Sequence, residues 1–183
     1  ECAGSSISGS VGRALRLLAL NGNEIILRHQ ADWINGWLLN NWEYGEEGNN
    51  IRLGWDLNNE EWPKSFKNLE WFNSLPKIVR SGQIISKISS CKAKEFGLSR
   101  DLLIVSGTTD ANAAVLAANP NNHEGVTILG STIVLKCFVD KPINSKGLSN
   151  HRIGKRWLTG GASNSGGAVL KQFFSDREIE ELS

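Results

Sequence analysis

Residues 102–110, Leu102-Leu103-Ile104-Val105-Ser106-Gly107-Thr108-Thr109-Asp110, pass from strand to turn to helix within one short run of sequence. Four consecutive apolar residues, two of them β-branched, suit a strand buried on both faces. Small and hydroxyl residues at 106–109 break that run, and residues 111–118 have the alanine-rich composition of a helix. A carboxylate at such a junction has two uses. Thr109 or Asp110 can cap the orphan amides of the first helical turn. Strand ends in α/β proteins also face the ligand crevice, where a carboxylate acts on substrate as a base.

Further on, β-branched runs at 126–129 and 133–139 flank Gly130-Ser131-Thr132, the spacing of a β-hairpin with a small tip. Glycine and hydroxyl residues there let backbone amides approach phosphate oxygens, although an ordinary turn uses the same letters. Residues 156–158 read as another strand. The glycine-rich stretch 160–167 is then expected to open an apolar helix that runs to Phe174, which would make it either an anion site at a helix N-terminus or a flexible connection. Ser175 and Glu178 have capping-box spacing, so a further helix begins near the C-terminal end.

The first hundred residues have a different texture, with six of the seven tryptophans between Trp33 and Trp71. Val11, Ala14, Leu15 and Leu18 recur at helical spacing and stop at Asn21-Gly22. A second helix is expected over 31–39, with Trp33, Ile34, Trp37 and Leu38 on one face and its tryptophans in the core rather than stacked on a sugar. Residues 40–50 read as loop, 83–88 as strand, and 90–96 as a helix ending at Gly97.

Composition narrows the function. With 20 basic and 19 acidic residues in 183, the net charge of +1 gives no basic face for nucleic acid or anionic lipid. No apolar run approaches the roughly 20 residues that span a bilayer, and residues 1–12 lack the charged segment followed by an apolar core that marks a signal peptide. The expected location is the cytoplasm, or a plastid in a plant. Cys2, Cys91 and Cys137 form no CxxC pair and read as reduced thiols, two of them in the core. His29, His123 and His151 are too scattered for a metal set. His29, beside Gln30 and Asp32, suits a polar ligand or a helix cap. Neither GxxxxGK[ST] nor GxGxxG is present, against a Walker loop and a Rossmann dehydrogenase. The absence of methionine and a C-terminus inside a charged, helix-forming stretch suggest a piece of a longer protein.

The segments His29-Gln30-Ala31-Asp32-Trp33, Asn49-Asn50-Ile51-Arg52-Leu53-Gly54-Trp55-Asp56, Gly107-Thr108-Thr109-Asp110, Leu129-Gly130-Ser131-Thr132 and Gly160-Gly161-Ala162-Ser163-Asn164 occur in a telling order. Together they resemble a carbohydrate kinase of the FGGY family, nearest to the xylulose-kinase-like and D-ribulose kinases of cyanobacteria and plants. The resemblance runs from about Ser10 to Ser183. It implies an α/β chain with the actin-like ATPase (ribonuclease H-like) fold. Residues 1–100 would be the C-terminal part of the sugar-side domain, and 101–183 the N-terminal part of the nucleotide-side domain.

The resemblance further implies that Asp110 is the catalytic base and touches the sugar. Gly130, Ser131 and Thr132 would contact the phosphates of ATP, with Gly160, Gly161 and Asn164 near the nucleotide, and Mg²⁺ would bridge phosphate oxygens. No metal ligand is assigned within the chain. Arg13 and Arg16 stand where the family often has Lys and Trp, and Glu46 where it has Asp. Ala111 stands where Gln or Ser often contacts the sugar. The family's first Asp-x-Gly-Thr hairpin and its late adenosine segment are absent from these residues, so the expected partners include the missing N- and C-terminal parts, besides sugar and ATP. A ketopentose is the expected substrate, and a non-catalytic sugar-binding or structural fragment is the alternative. Two half-domains would leave apolar faces uncovered, so these residues alone are expected to be poorly soluble or only partly folded.

Overall fold

The computed structural model describes residues 9–122 and 124–181. The chain divides into two compact units, Glu1–Thr109 with Arg152–Gly154, and Asp110–His151 with Lys155–Ser183.

The first unit opens with α1 (Ser10–Asn21), which buries Ala14 and Leu18 and stops at Gly22, whose φ of 82° only glycine adopts readily. Ala14 and Leu18 pack with Leu27, Leu53, Trp62, Trp71 and Leu75 in the larger core of this unit. Trp55 meets Trp62 edge to face at 5.3 Å, and Phe66 meets Trp71 in the same way at 5.2 Å.

Helix α2 (Gln30–Leu39) lies where it was expected, but its buried residues are Asp32 and Gly36. Trp33 and Ile34 are exposed, whereas Trp37 is half-buried and Leu38 packs against a small core, so only part of the expected face is covered. Gly36 is required there, because a Cβ would come within 2.3 Å of the Trp42 ring. The expected loop at 40–50 instead contains β1 (Tyr44–Glu46) and the single-turn helix α3 (Glu47–Asn50). Strand β1 pairs in parallel with β2 (Lys77–Val79). Strand β1 and α3 are short and polar and are held by hydrogen bonds, whereas β2 buries Val79 and packs Ile78 on the larger core.

Strand β3 (Ile84–Lys87) pairs antiparallel with β4 (Leu103–Val105). Only Ile104 of β4 is buried. Leu103 and Val105 are 47% and 44% exposed, so the run read as fully buried has one open face. Between them α4 (Ser90–Phe96) is bounded as its sequence indicates. The Ser89 hydroxyl accepts from the Lys92 amide, and Gly97 closes the helix in the left-handed conformation. Ala93 of α4 packs with Ile88 and Ile104 in a second small core, joined by Leu38 and Leu39. Of the cysteines, Cys91 is exposed rather than core and Cys137 is half-buried. Cys2 and His123 lie outside the described residues.

The second unit begins with α5 (Asp110–Ala118). Its sheet contains β5 (Gly125–Leu129), β6 (Ile133–Val139), β7 (Ser149–Ile153) and β8 (Arg156–Ser163), in the order β5-β6-β8-β7. Leu129 pairs with Ile133, so the hairpin tip is the three residues read from the sequence. Strand β8 corrects the glycine-rich reading, because it continues through Gly160 and Gly161 to Ser163. The helix expected after it is an exposed 3-10 segment, Gly167–Gln172. A last helix, α6 (Asp176–Glu181), follows the expected capping box: Glu178 accepts from the Ser175 amide at 2.8 Å, and Ser175 Oγ accepts from the Glu178 amide at 3.3 Å.

Within the first unit, Arg152 closes a buried ion pair with Glu47. Its Nη2 donates to Glu47 Oε2 at 2.6 Å and its Nη1 to Glu60 at 2.8 Å. The Glu47 side chain is 1% exposed. Removing one partner of such a pair costs about 3–5 kcal/mol, whereas replacing both with apolar groups is close to neutral. Arg152→Ala should therefore lose about that much stability in urea unfolding followed by tryptophan fluorescence. The double variant Arg152→Met with Glu47→Leu should regain most of it. A loss below about 1 kcal/mol in Arg152→Ala would show that Glu47 does not depend on its partner.

Candidate functional site

Asp110 is the first residue of α5 and is exposed. Its Oδ1 accepts from the Ala111 amide at 2.7 Å, so the carboxylate occupies one donor of the first turn while remaining accessible. The capping and catalytic uses of this residue are thus compatible. On the other face of α5, Asn112 and Val115 are completely buried. Lys136 of β6, itself 6% exposed, donates from Nζ to Asn112 Oδ1 at 2.6 Å.

The hairpin tip of the same unit is built on backbone contacts. The Gly130 amide donates to the Thr132 carbonyl at 2.9 Å, the Gly167 amide to the Gly130 carbonyl at 2.7 Å, and the Ala168 amide to the Ser131 carbonyl at 3.4 Å. A Cβ on Gly166 would lie 2.5 Å from the Thr132 carbonyl carbon, so residue 166 has to be glycine for this docking. Ser131 and Thr132 themselves are exposed. The tip thus carries two exposed hydroxyls on a backbone closed by its own hydrogen bonds.

Gly160 and Gly161 occupy a different place from the one their composition suggests. They pair with Lys136 and Leu135 in the middle of the sheet. A Cβ on Gly160 would come within 2.2 Å of the Leu135 carbonyl oxygen, which makes this glycine a condition of close strand packing. Asn164 lies just beyond the end of β8 and is exposed. The glycines that reach the tip are Gly166 and Gly167, which the sequence shows as a doublet but does not distinguish from their neighbours.

The first unit holds a separate polar cluster. Asp32 accepts from the Glu46 amide at 2.8 Å through one oxygen and from Asn50 Nδ2 at 2.9 Å through the other. Glu46 caps α3, accepting from the Gly48 amide at 2.9 Å and from the Asn49 amide at 2.8 Å. Burial pushes the Glu46 carboxyl up to about 7 from its ordinary 4.5, against those amides, with Asp32 and Glu47 adding repulsion. Asp32 is raised for the same first reason. His29 is half-buried, and its side chain makes no cap bond to α2. Burial first and Arg52 second lower its pKa, which favours the neutral ring. No group of three His, Cys, Asp or Glu side chains capable of holding a metal occurs among the described residues. The carboxylate oxygens of Asp32 and Glu46 are occupied by the chain's own donors, whereas Asn50 Oδ1 is buried without a hydrogen-bond partner.

No family model matches the chain. Among solved structures, a xylulose kinase from Rhodospirillum rubrum matches with a TM-score of 0.77 at 15% identity, covering 91% of this chain and 36% of that one. A ligand-bound xylulose kinase from Lactobacillus acidophilus matches at 0.66 and 20%, covering 78% of this chain and 30% of that one. Glycerol kinase from Plasmodium falciparum, solved with ADP, matches at 0.71 and 16%, covering 88% and 36%. The chain therefore spans about a third of the length of these structures. At these identities the likeness is one of fold, and the chain has the mixed α/β fold of the actin-like ATPases.

The raised Glu46 has a measurable consequence. Between its unfolded and folded pKa values the native state binds the extra proton, so its contribution is complete below about 4.5 and is lost as pH rises through about 7. That interval corresponds to about 3 kcal/mol at most. The thermal midpoint should fall between pH 5 and pH 7.5, and Glu46→Gln should flatten most of that fall, with Asp32 leaving a smaller slope of the same sign. A Glu46→Gln curve parallel to wild type would contradict it.

Proposed function

We propose that the whole protein is an ATP-dependent carbohydrate kinase of the FGGY type, and that its acceptor is a hydroxyl of a ketopentose such as ribulose or xylulose. One observation carries this most: within a fold shared with sugar kinases, the unit that contains the glycine-walled hairpin tip also begins its helix with the accessible carboxylate of Asp110. The motif order of the D-ribulose and xylulose-kinase-like branch supports the choice of sugar.

In this reading Asp110 accepts the proton of the sugar hydroxyl. The sugar oxygen bonds to the γ-phosphorus of ATP, the bond from that phosphorus to the bridging oxygen breaks, and ADP leaves with the electron pair. Ser131 and Thr132 hold the phosphates through backbone amides and hydroxyls, Gly130, whose own amide is taken by the Thr132 carbonyl, leaves the tip free of a side chain there, and Asn164 lies near the nucleotide. Gly160 and Gly161 let the strand behind them pack closely. Charge neutralisation on the phosphates would come from a Mg²⁺ ion bound with ATP, for which no group of three His, Cys, Asp or Glu side chains occurs among the described residues. Domain closure around the sugar would exclude water as a competing acceptor. Ala111 gives no polar contact to the sugar, so selectivity rests on other residues.

Asp110→Asn in the natural full-length enzyme keeps the shape and removes the base. Its kcat should fall by about a hundredfold or more, the scale of a lost general base, while sugar affinity by calorimetry stays within a few-fold. Turnover equal to wild type would remove Asp110 from the mechanism. Sugar binding with no ATP turnover in the wild type would favour a non-catalytic protein.

A further inference from the structure

The second unit holds a buried polar pair that the phosphoryl-transfer chemistry does not itself use. Asn112 is 0% exposed and Lys136 is 6% exposed, and they meet across α5 and β6 at 2.6 Å. A lysine is seldom buried, since taking its charge from water is costly unless hydrogen bonds compensate. Gly160 makes the room for it: a Cβ there would lie 2.7 Å from Lys136 Cγ as well as striking the Leu135 carbonyl. Three elements therefore adjust to one side chain.

We infer that Lys136 and Asn112 form a positioning pair that sets the rotation of the first turn of α5, and thereby the direction of the Asp110 carboxylate relative to the hairpin tip. This rests on the proposed role of Asp110. At about 100° per residue, Asp110 and Asn112 project from nearly opposite sides of the helix, while Asn112 and Val115 share its buried side. Val115 supplies apolar contact, which tolerates sliding and rotation. The bond from Lys136 to Asn112 is directional and tolerates neither. Lys136 is also fixed along β6, three residues, or about 10 Å, from Ile133 at the base of the tip. The strand acts as a ruler, with the tip at one end and the anchor of the helix bearing Asp110 partway along it. Reacting groups misplaced by about 1 Å can lose about a hundredfold in rate, so a directional anchor at this point has a kinetic role distinct from stability.

The test uses the natural full-length protein and compares Asn112→Ser, Lys136→Met, Asn112→Asp and Asp110→Asn under steady-state conditions with ATP and the best pentulose. Asn112→Ser draws the acceptor back from Lys136 by shortening the side chain while leaving it polar, so it serves as a second, milder variant should Lys136→Met fail to fold. The expected result is at least a tenfold fall in kcat for Asn112→Ser and Lys136→Met, with KM for both substrates within about threefold of wild type. Asn112→Asp, which restores an acceptor to Lys136, should recover most of the loss. The double variant Asn112→Ser with Lys136→Met should be no slower than the worse single one. If kcat is unchanged in the pair variants while Asp110→Asn is inactive, the positioning role is overturned and the base stands. If KM rises and kcat falls only as far as thermal stability falls, the pair is structural and the inference is wrong. If Asp110→Asn is fully active, the base assignment fails and the positioning role falls with it.

Discussion

Strand β6 can lie against β8 only because residue 160 has no side chain. A Cβ at that position would be 2.2 Å from the Leu135 carbonyl oxygen, far inside contact distance. Close pairing over the seven residues of β6 follows from this, from Ile133 opposite Ser163 to Val139 opposite Trp157. The pairing brings the chain beyond β8 back to the hairpin tip, where the Gly167 amide takes the Gly130 carbonyl. It also holds Lys136 at the level where Asn112 of α5 receives its ammonium. One glycine thus conditions the strand pairing, the tip and the anchor of the helix that carries Asp110.

The first unit is held on a different principle. Its larger core is aliphatic and aromatic, but the elements that cross from α2 to α3 are tied by carboxylates. Asp32 spends both oxygens on residues of the β1–α3 segment, Glu46 caps α3, and Glu47 meets Arg152. Burying three carboxylates in one region is unfavourable unless donors compensate, and burial raises Glu46 despite the two amides it accepts from. Such a scaffold fixes geometry through directional bonds, at the expense of a pH-dependent stability.

The sequence was most legible where local chemistry determines the structure. The hairpin with its Gly130-Ser131-Thr132 tip, α1 ending at Gly22, and α4 between Ser89 and Gly97 all follow from β-branched runs, caps and left-handed glycines. Legibility failed where tertiary contacts override composition. Residues 44–50 look like loop because their fold is written in side-chain hydrogen bonds rather than an apolar period. Gly160 and Gly161 look like a flexible approach to a helix, because composition cannot separate a glycine needed for freedom from one needed for closeness. Trp33 shares a helical face with Trp37, yet it lies outside the core, because Asp32 and Gly36 decide which side of α2 is buried. Nothing in the order of letters links Asn112 to Lys136, which are 24 residues apart.

The proposed phosphotransferase draws on one unit that carries both the accessible carboxylate of Asp110 and the exposed hydroxyls of the Gly130-Ser131-Thr132 tip. The most direct measurement is phosphorus NMR of the natural full-length protein incubated with ATP, Mg²⁺ and a panel of pentuloses. The account predicts a new phosphomonoester resonance that grows in equal amount with ADP and requires the sugar. A sugar retained by the protein in equilibrium dialysis, with ATP unchanged and no phosphomonoester formed, would contradict it.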